Sequence, residues 1–163
     1  MISTPTALSA RSRPVVAIVT AWLVVGSLDI TSALILWHSR GTGVVRGLQG
    51  LTSGLLGPEA FKGGLATAGM GLAIHFFIAL VVVTLFYVAS RQLTILVEHA
   101  FLSGVLYGLV VYGFMYWFVL PHTFPKFKHS LSNDLLAVAI HIFLIGLPTA
   151  LIVRRYSAIR SHS

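Results

Sequence analysis

The 163-residue chain contains no cysteine and only four acidic residues, and both absences narrow its chemistry. Without cysteine, the protein has no disulfides, no thiolate metal ligands and no cysteine nucleophile. Charged residues make up 9% of the chain, against about 25% in an average soluble domain. The sequence also lacks the glycine-rich phosphate loop, the nucleophile elbow and the H-E-x-x-H pattern of common soluble enzymes. Enzymatic activity is therefore not expected, unless its site lies within a membrane.

Most of the sequence consists of long hydrophobic runs. Hydrophobic residues account for 56% of the chain, and its mean hydropathy is +0.91. A helix of about 20 apolar residues crosses the hydrocarbon core of a bilayer, and the chain has four runs of about this length, at 15–37, 65–90, 100–120 and 131–153. The first run is too long for a cleaved signal peptide. We therefore predict an all-α, polytopic membrane protein with four transmembrane helices in one domain, 1–163.

Residues 44–56 form an amphipathic segment between the first and second spans. Its leucines fall on one side of a helix, whereas Arg46, Gln49 and Ser53 fall on the other. The segment is too short and too polar to span, so we predict an interfacial helix with its leucines towards the hydrocarbon. Its polar stripe is compatible with a lipid headgroup site or with a lid over the spans, but the pattern favours an ordinary solvated face.

Four polar residues lie deep within the predicted spans. Counted from the span ends at about 1.5 Å per residue, Asp29 and Tyr112 lie about 12 Å deep, and His75 and His141 about 15 Å. The four side chains therefore form one predicted polar layer. Small residues repeat at four-residue spacing beside this layer, with Gly71 and Ala79 around His75 and with Gly104 and Gly108 before Tyr112. Such small residues predict close helix packing, so these faces should point at protein.

The polar layer has three interpretations. Its side chains can act as interhelical hydrogen bonds that hold the bundle together. They can also form a site that moves protons or a small solute, or that organises a partner, because ionisable residues inside membranes are functional candidates. Alternatively, His75 and His141 could ligate haem or a metal, although nothing else in the sequence specifies a porphyrin pocket. Our leading hypothesis is a non-enzymatic bundle that handles protons or a small solute, with no catalytic residue and no cofactor assigned.

Basic residues indicate the partners and the orientation. The net charge of +7 comes from residues that flank apolar runs, so we expect contact with anionic lipid headgroups and not with nucleic acid. One side of the membrane would hold Arg11, Arg13, Arg91, Arg154, Arg155 and Arg160, and the other Arg40, Arg46, Lys62, Lys126 and Lys128. The excess favours cytoplasmic termini. A homo-oligomer or a membrane partner protein is compatible with the sequence.

Two stretches carry a family resemblance. LQGLTSGLLG at 48–57 and GLAIHFFIA at 71–79, together with Ala60, Phe61, Gly63, Gly64, Tyr87, Ala89 and Ser90, resemble a group of small four-span bacterial membrane proteins of unassigned function. The resemblance extends over 26–148 and implies a bacterial inner-membrane location and a four-span fold. It implies no activity. The residues that match are therefore candidates on physical grounds only; they are Asp29, Arg46, Gln49, Ser53, Gly54 and His75.

Overall fold

The computed structural model describes residues 8–124 and 127–157, with side chains described from residue 14 onwards. This part of the chain is helical and contains no strand. Its six helices are α1 (Leu8–Ser39), α2 (Val44–Leu56), α3 (Gly64–Gln92), α4 (Ile95–Glu98), α5 (Ala100–Thr123) and α6 (Leu131–Ser157). Helices α1, α3, α5 and α6 are long and apolar enough to cross a membrane. The predicted all-α fold with four spanning helices is confirmed.

The helix ends differ from the predicted ends in small ways. Helix α1 begins seven residues before the predicted Val15, and α6 ends four residues after the predicted Val153. The short connection after α3 contains one additional turn of helix, α4. Four basic side chains used to predict the orientation lie outside the described part of the chain: Arg11, Arg13, Lys126 and Arg160.

Two clusters of buried side chains hold the four long helices together. The first contains residues from all four, namely Ala21, Val25, Val83, Val111 and Ile145. The second lies nearer the chain termini and contains Phe86, Ala100, Ala150 and Val153. Large apolar side chains on the outside of the bundle remain exposed, for example Leu85 and Phe143. Such an apolar exterior suits a helix surrounded by lipid.

Glycines allow α5 and α6 to approach closely. A Cβ atom on Gly108 would lie 2.6 Å from the carbonyl oxygen of His141 and 2.7 Å from the Cα atom of Ile142. A Cβ atom on Gly104 would similarly lie 2.9 Å from the Cα atom of Leu147. The small-residue stripe seen in the sequence therefore lies at the contact between these two helices, where backbone packs on backbone.

Polar side chains of neighbouring helices donate hydrogen bonds to backbone carbonyls on α3. The Trp22 indole nitrogen of α1 donates to the Phe76 carbonyl oxygen at 2.7 Å. The Tyr107 hydroxyl of α5 donates to the Val82 carbonyl oxygen at 2.6 Å. Such interhelical bonds contribute about 0.6 kcal/mol each on average, so they orient the helices more than they stabilise them.

Helices α5 and α6 each contain a wide, π-helical stretch, at Phe114–Val119 and His141–Gly146. Each stretch ends two residues before a proline, Pro121 or Pro148. A proline inside a helix donates no backbone hydrogen bond, and its ring collides with the carbonyl group four residues earlier. The wider turns relieve this collision, so both helices continue past their prolines.

Replacing Gly108 by alanine should destabilise the bundle, because the new methyl group would collide with the α6 backbone. The expected loss is about 1–3 kcal/mol, the usual range for overpacking. Gly113 of the same helix provides the matched control, because a Cβ atom there meets nothing within 4 Å. Thermal denaturation followed by circular dichroism in one detergent should show a lower melting temperature for Gly108→Ala only. Equal melting temperatures for both variants would contradict the described packing.

Candidate functional site

A cavity of about 370 Å³ lies between the four long helices and α2. Along α1 it reaches from Val25 to Trp37, and its walls are mainly apolar. Its polar lining consists of Asp29, His75, Tyr116, Thr123 and His141. The structure thus brings together three members of the predicted polar layer, one from each of α1, α3 and α6. The fourth member, Tyr112, does not line the cavity.

His75 is held by a hydrogen bond between helices. Its side chain is 12% exposed, and its Nε2 atom lies 3.0 Å from the carbonyl oxygen of Gly26 on α1. Because a carbonyl only accepts, Nε2 carries the hydrogen, and in the neutral ring Nδ1 is then an acceptor. Gly26 itself fits closely under α3, since a Cβ atom there would lie 2.6 Å from the Phe76 ring.

Asp29 and His75 are neighbours without a direct hydrogen bond. The Oδ2 atom of Asp29 lies 3.9 Å from Nδ1 of His75, which exceeds hydrogen-bonding distance. The Asp29 side chain is 30% exposed and faces the cavity. The carboxylate and the imidazole therefore leave room for a third polar group to contact both.

His141 is held within its own helix. Its Nδ1 atom donates to the Ala137 carbonyl oxygen at 2.8 Å, which leaves Nε2 as the acceptor of the neutral ring. The residue is 8% exposed. The rings of Tyr112 and Tyr116 stand edge-on to its imidazole, with centroid distances of 5.8 and 5.7 Å. Tyr112 therefore packs against His141, while Tyr116 takes the position on the cavity wall.

Tyr116 and Thr123 are the polar lining residues that the predicted polar layer did not include; only Tyr116 had a signal in the sequence. It continues the four-residue series Gly104, Gly108 and Tyr112, and this series was the available signal. Both tyrosines stack on each other with a centroid distance of 4.8 Å. The π-helical stretch begins at Phe114, between them. Its extra width changes the direction of side chains after this point, which regular helical periodicity does not reveal.

The π-helical stretches border the cavity on two sides. Met115, Tyr116 and Val119 from the stretch in α5 line it, as do His141 and Ile145 from the stretch in α6. Single π-helical turns inside α-helices occur frequently at functional sites. The irregular part of both helices therefore coincides with the part that carries the polar side chains.

Helix α2 covers the cavity. Leu51, Gly54 and Leu55 from α2 are part of the lining. The helix is fastened to α3 by two side chains, because Gln49 donates to the Gly64 carbonyl oxygen at 3.0 Å and Thr52 donates to the Thr67 carbonyl oxygen at 2.7 Å. Of the interpretations open for this segment, the geometry therefore favours a lid over the spans.

The predicted solvated face of α2 is wrong at one of its three residues. Gln49 is only 5% exposed and bonds to α3. Arg46 is exposed, and its guanidinium carbon lies 4.7 Å from the centre of the Phe61 ring. The Ser53 hydroxyl donates to the Gly50 carbonyl oxygen of its own helix at 2.7 Å. The buried position of Gln49 has a physical reason, because the Gly64 carbonyl group at the start of α3 offers an acceptor.

The end of the cavity nearest the termini is closed by apolar side chains. Val25, Val111 and Ile145 line the cavity and also belong to the first buried cluster. Ala21 and Val83 of the same cluster are fully buried. The buried residues of this cluster are all apolar, and they separate the polar residues of the cavity from this end of the bundle.

The polar residues of the cavity offer few ligands for a metal ion or haem. Within residues 8–124 and 127–157, no group of three histidine, aspartate or glutamate residues is arranged to hold one metal ion. The Nε2 atom of His75 is bonded to Gly26, so this imidazole presents only Nδ1 to the cavity. Ligation of haem by both residues would therefore use Nδ1 of His75 and Nε2 of His141, the ring nitrogens that do not donate to a backbone carbonyl group.

A comparison of the sequence with protein-family models, curated proteins and solved structures finds no match. The resemblance to small four-span bacterial membrane proteins therefore stays a prediction.

The position of α2 can be tested at Gly71 of α3. A Cβ atom there would collide with the Leu48 carbonyl oxygen and lie 3.0 Å from the Thr52 hydroxyl oxygen. Gly71→Ala should therefore displace α2, whereas Gly69→Ala should not, because a Cβ atom on Gly69 meets nothing within 4 Å. Since the chain has no cysteine, a Leu51→Cys variant gives one labelling site. Its reaction with a water-soluble maleimide should be faster with Gly71→Ala and unchanged with Gly69→Ala. Equal rates would show that Gly71 does not position α2.

Proposed function

We propose that this protein binds a small, mainly apolar solute within the membrane and holds its polar end at Asp29, His75 and His141. The observation that carries the proposal is the cavity itself, about 370 Å³ in volume, with mainly apolar walls and these three side chains in its lining. Small-molecule sites typically enclose about 300–1,000 Å³ and combine apolar walls with a few polar groups. The protein acts as a binding or carrier protein in this account, and not as an enzyme.

The apolar end of the cavity, formed by Val25, Val111 and Ile145, favours solute binding over a proton path. A proton path across the membrane needs a continuous series of hydrogen-bonding groups or waters. The apolar cluster of Ala21, Val25, Val83, Val111 and Ile145 lies between the polar residues and the ends of the bundle that carry the termini, where such a series would have to pass. Interhelical hydrogen bonding and solute binding are compatible, because His75 uses one ring nitrogen for Gly26 and keeps the other for a ligand.

The alternative function, a haem or metal protein using His75 and His141, has less support. Its support is limited to the presence of both imidazoles in one cavity. The hydrogen bond of His75 Nε2 restricts ligation by this residue to Nδ1.

The proposed location is the inner membrane of a bacterium, with both termini in the cytoplasm. The resemblance of residues 26–148 and the excess of basic residues on the terminal side support it. The exposed side chains of Arg154 and Arg155 near the end of α6 fit the same orientation. In this orientation α2 and the covered end of the cavity face the periplasm, so the solute would enter from the outer side. Lipid would surround the apolar exterior, and nucleic acid is not a proposed partner.

Filling the cavity should abolish solute binding. Ala33 lines the cavity, whereas Ala73 is exposed on α3, so Ala33→Phe and Ala73→Phe add the same ring inside and outside the site. The probe is 1-adamantanol, a compact apolar cage with one hydroxyl group. Titration calorimetry with protein in lipid nanodiscs, corrected with empty nanodiscs, should detect binding to the unmodified protein and to Ala73→Phe. Ala33→Phe should lose it. Binding that survives Ala33→Phe would contradict the proposal. It would also be contradicted if the unmodified protein bound neither this probe nor a second one with the same apolar cage and a different polar group.

A further inference from the structure

The polar atoms that face the cavity are mostly hydrogen-bond acceptors. The carboxylate of Asp29 only accepts. Nδ1 of His75 and Nε2 of His141 are acceptors because the opposite nitrogen of each ring donates to a backbone carbonyl group, at 3.0 and 2.8 Å respectively. The Tyr116 hydroxyl can donate or accept. Asp29, His75 and His141 therefore carry no fixed donor. Of the other polar lining residues, Thr123 has a hydroxyl that can donate or accept, and Trp37 has an indole N–H that donates.

We propose that the solute is a lipophilic amine, bound through its protonated nitrogen; this inference depends on the proposed function. An ammonium group has up to three N–H donors and no acceptor, which complements an acceptor-rich site. A carboxylate or ketone group would place its lone pairs against those of Asp29 and the two imidazoles. A polar group buried without a partner is strongly unfavourable, so such head groups are disfavoured.

Charge supports the same ligand class. No lysine or arginine lies in the cavity lining described by the structure, and Asp29 has no fixed positive charge beside it. An unpaired carboxylate inside a membrane protein is costly. A bound ammonium ion would provide the missing charge while forming hydrogen bonds, the arrangement in which a buried ion pair is favourable.

The cavity walls suit the apolar part of a lipophilic amine. Trp37, Tyr116 and Phe124 contribute aromatic rings to the lining, and aromatic faces attract cations. Ile30, Ile78 and Leu51 contribute aliphatic surface. An amine attached to a compact apolar group therefore matches both the polar patch and the apolar walls.

The test compares two probes that share one apolar cage, 1-adamantylamine and 1-adamantanol. Near neutral pH an aliphatic amine is protonated, as lysine is, so the probes differ in charge and in N–H donors. Titration calorimetry in nanodiscs, again corrected with empty nanodiscs, should give a preference for the amine of about tenfold or more, as expected for a hydrogen-bonded charge. Asp29→Asn should reduce this preference to about threefold or less, and Asp29→Glu should retain most of it.

Glu98→Gln provides the charge control. Glu98 is an exposed carboxylate in α4, outside the cavity lining, and its replacement removes the same charge as Asp29→Asn. The preference for the amine should persist in this variant, whereas its loss would show that net charge alone explains the effect and would overturn the inference. Circular dichroism should confirm that each variant retains its helical content.

The outcomes separate the two proposals. Equal affinity for amine and alcohol in the unmodified protein would overturn the amine inference while supporting the solute-binding function. A preference for the amine that persists in Asp29→Asn would also overturn the inference, because the carboxylate would not be its source. If neither probe binds, both proposals fail.

Discussion

The hydrogen bond from His75 to the carbonyl oxygen of Gly26 is the interaction on which the candidate site depends. It joins α3 to α1 at 3.0 Å and determines which nitrogen of the imidazole carries hydrogen. In a membrane, a polar side chain cannot rely on water for its hydrogen bonds, so a backbone carbonyl of a neighbouring helix becomes a valuable partner. Because Nε2 is occupied in this way, Nδ1 is left beside Asp29, and the two groups form a polar patch open to the cavity.

The same constraint explains other parts of the bundle. His141, Trp22, Tyr107, Gln49 and Thr52 also donate to backbone carbonyl groups. Two of these bonds attach α2 to α3, and two others position α3 against α1 and α5. The donor groups of these residues thus hold the helices, while Asp29, His75 and His141 keep acceptor atoms at the cavity. An acceptor-rich cavity is therefore a consequence of how this bundle is held together, and it determines which ligand would fit.

Much of the architecture can be predicted from the sequence, because long apolar runs and a constant helical rise determine spans and depth. These two features were sufficient to place Asp29, His75 and His141 together. They were insufficient for Tyr116, since the π-helical stretch that begins at Phe114 and contains this tyrosine changes its direction. They were also insufficient for Gln49. An amphipathic pattern looks the same whether its polar side contacts water or the carbonyl groups of another helix, and only tertiary structure distinguishes the two.

The most direct test of this account is the tautomer of each histidine, measured by ¹⁵N solid-state NMR on the protein in lipid bilayers. The measurement is made at mildly alkaline pH, and His75→Gln and His141→Gln variants assign the signals. The account predicts hydrogen on Nε2 of His75 and on Nδ1 of His141. Hydrogen on Nδ1 of His75 or on Nε2 of His141 would contradict it, because the cavity would then contain a donor where the account requires an acceptor.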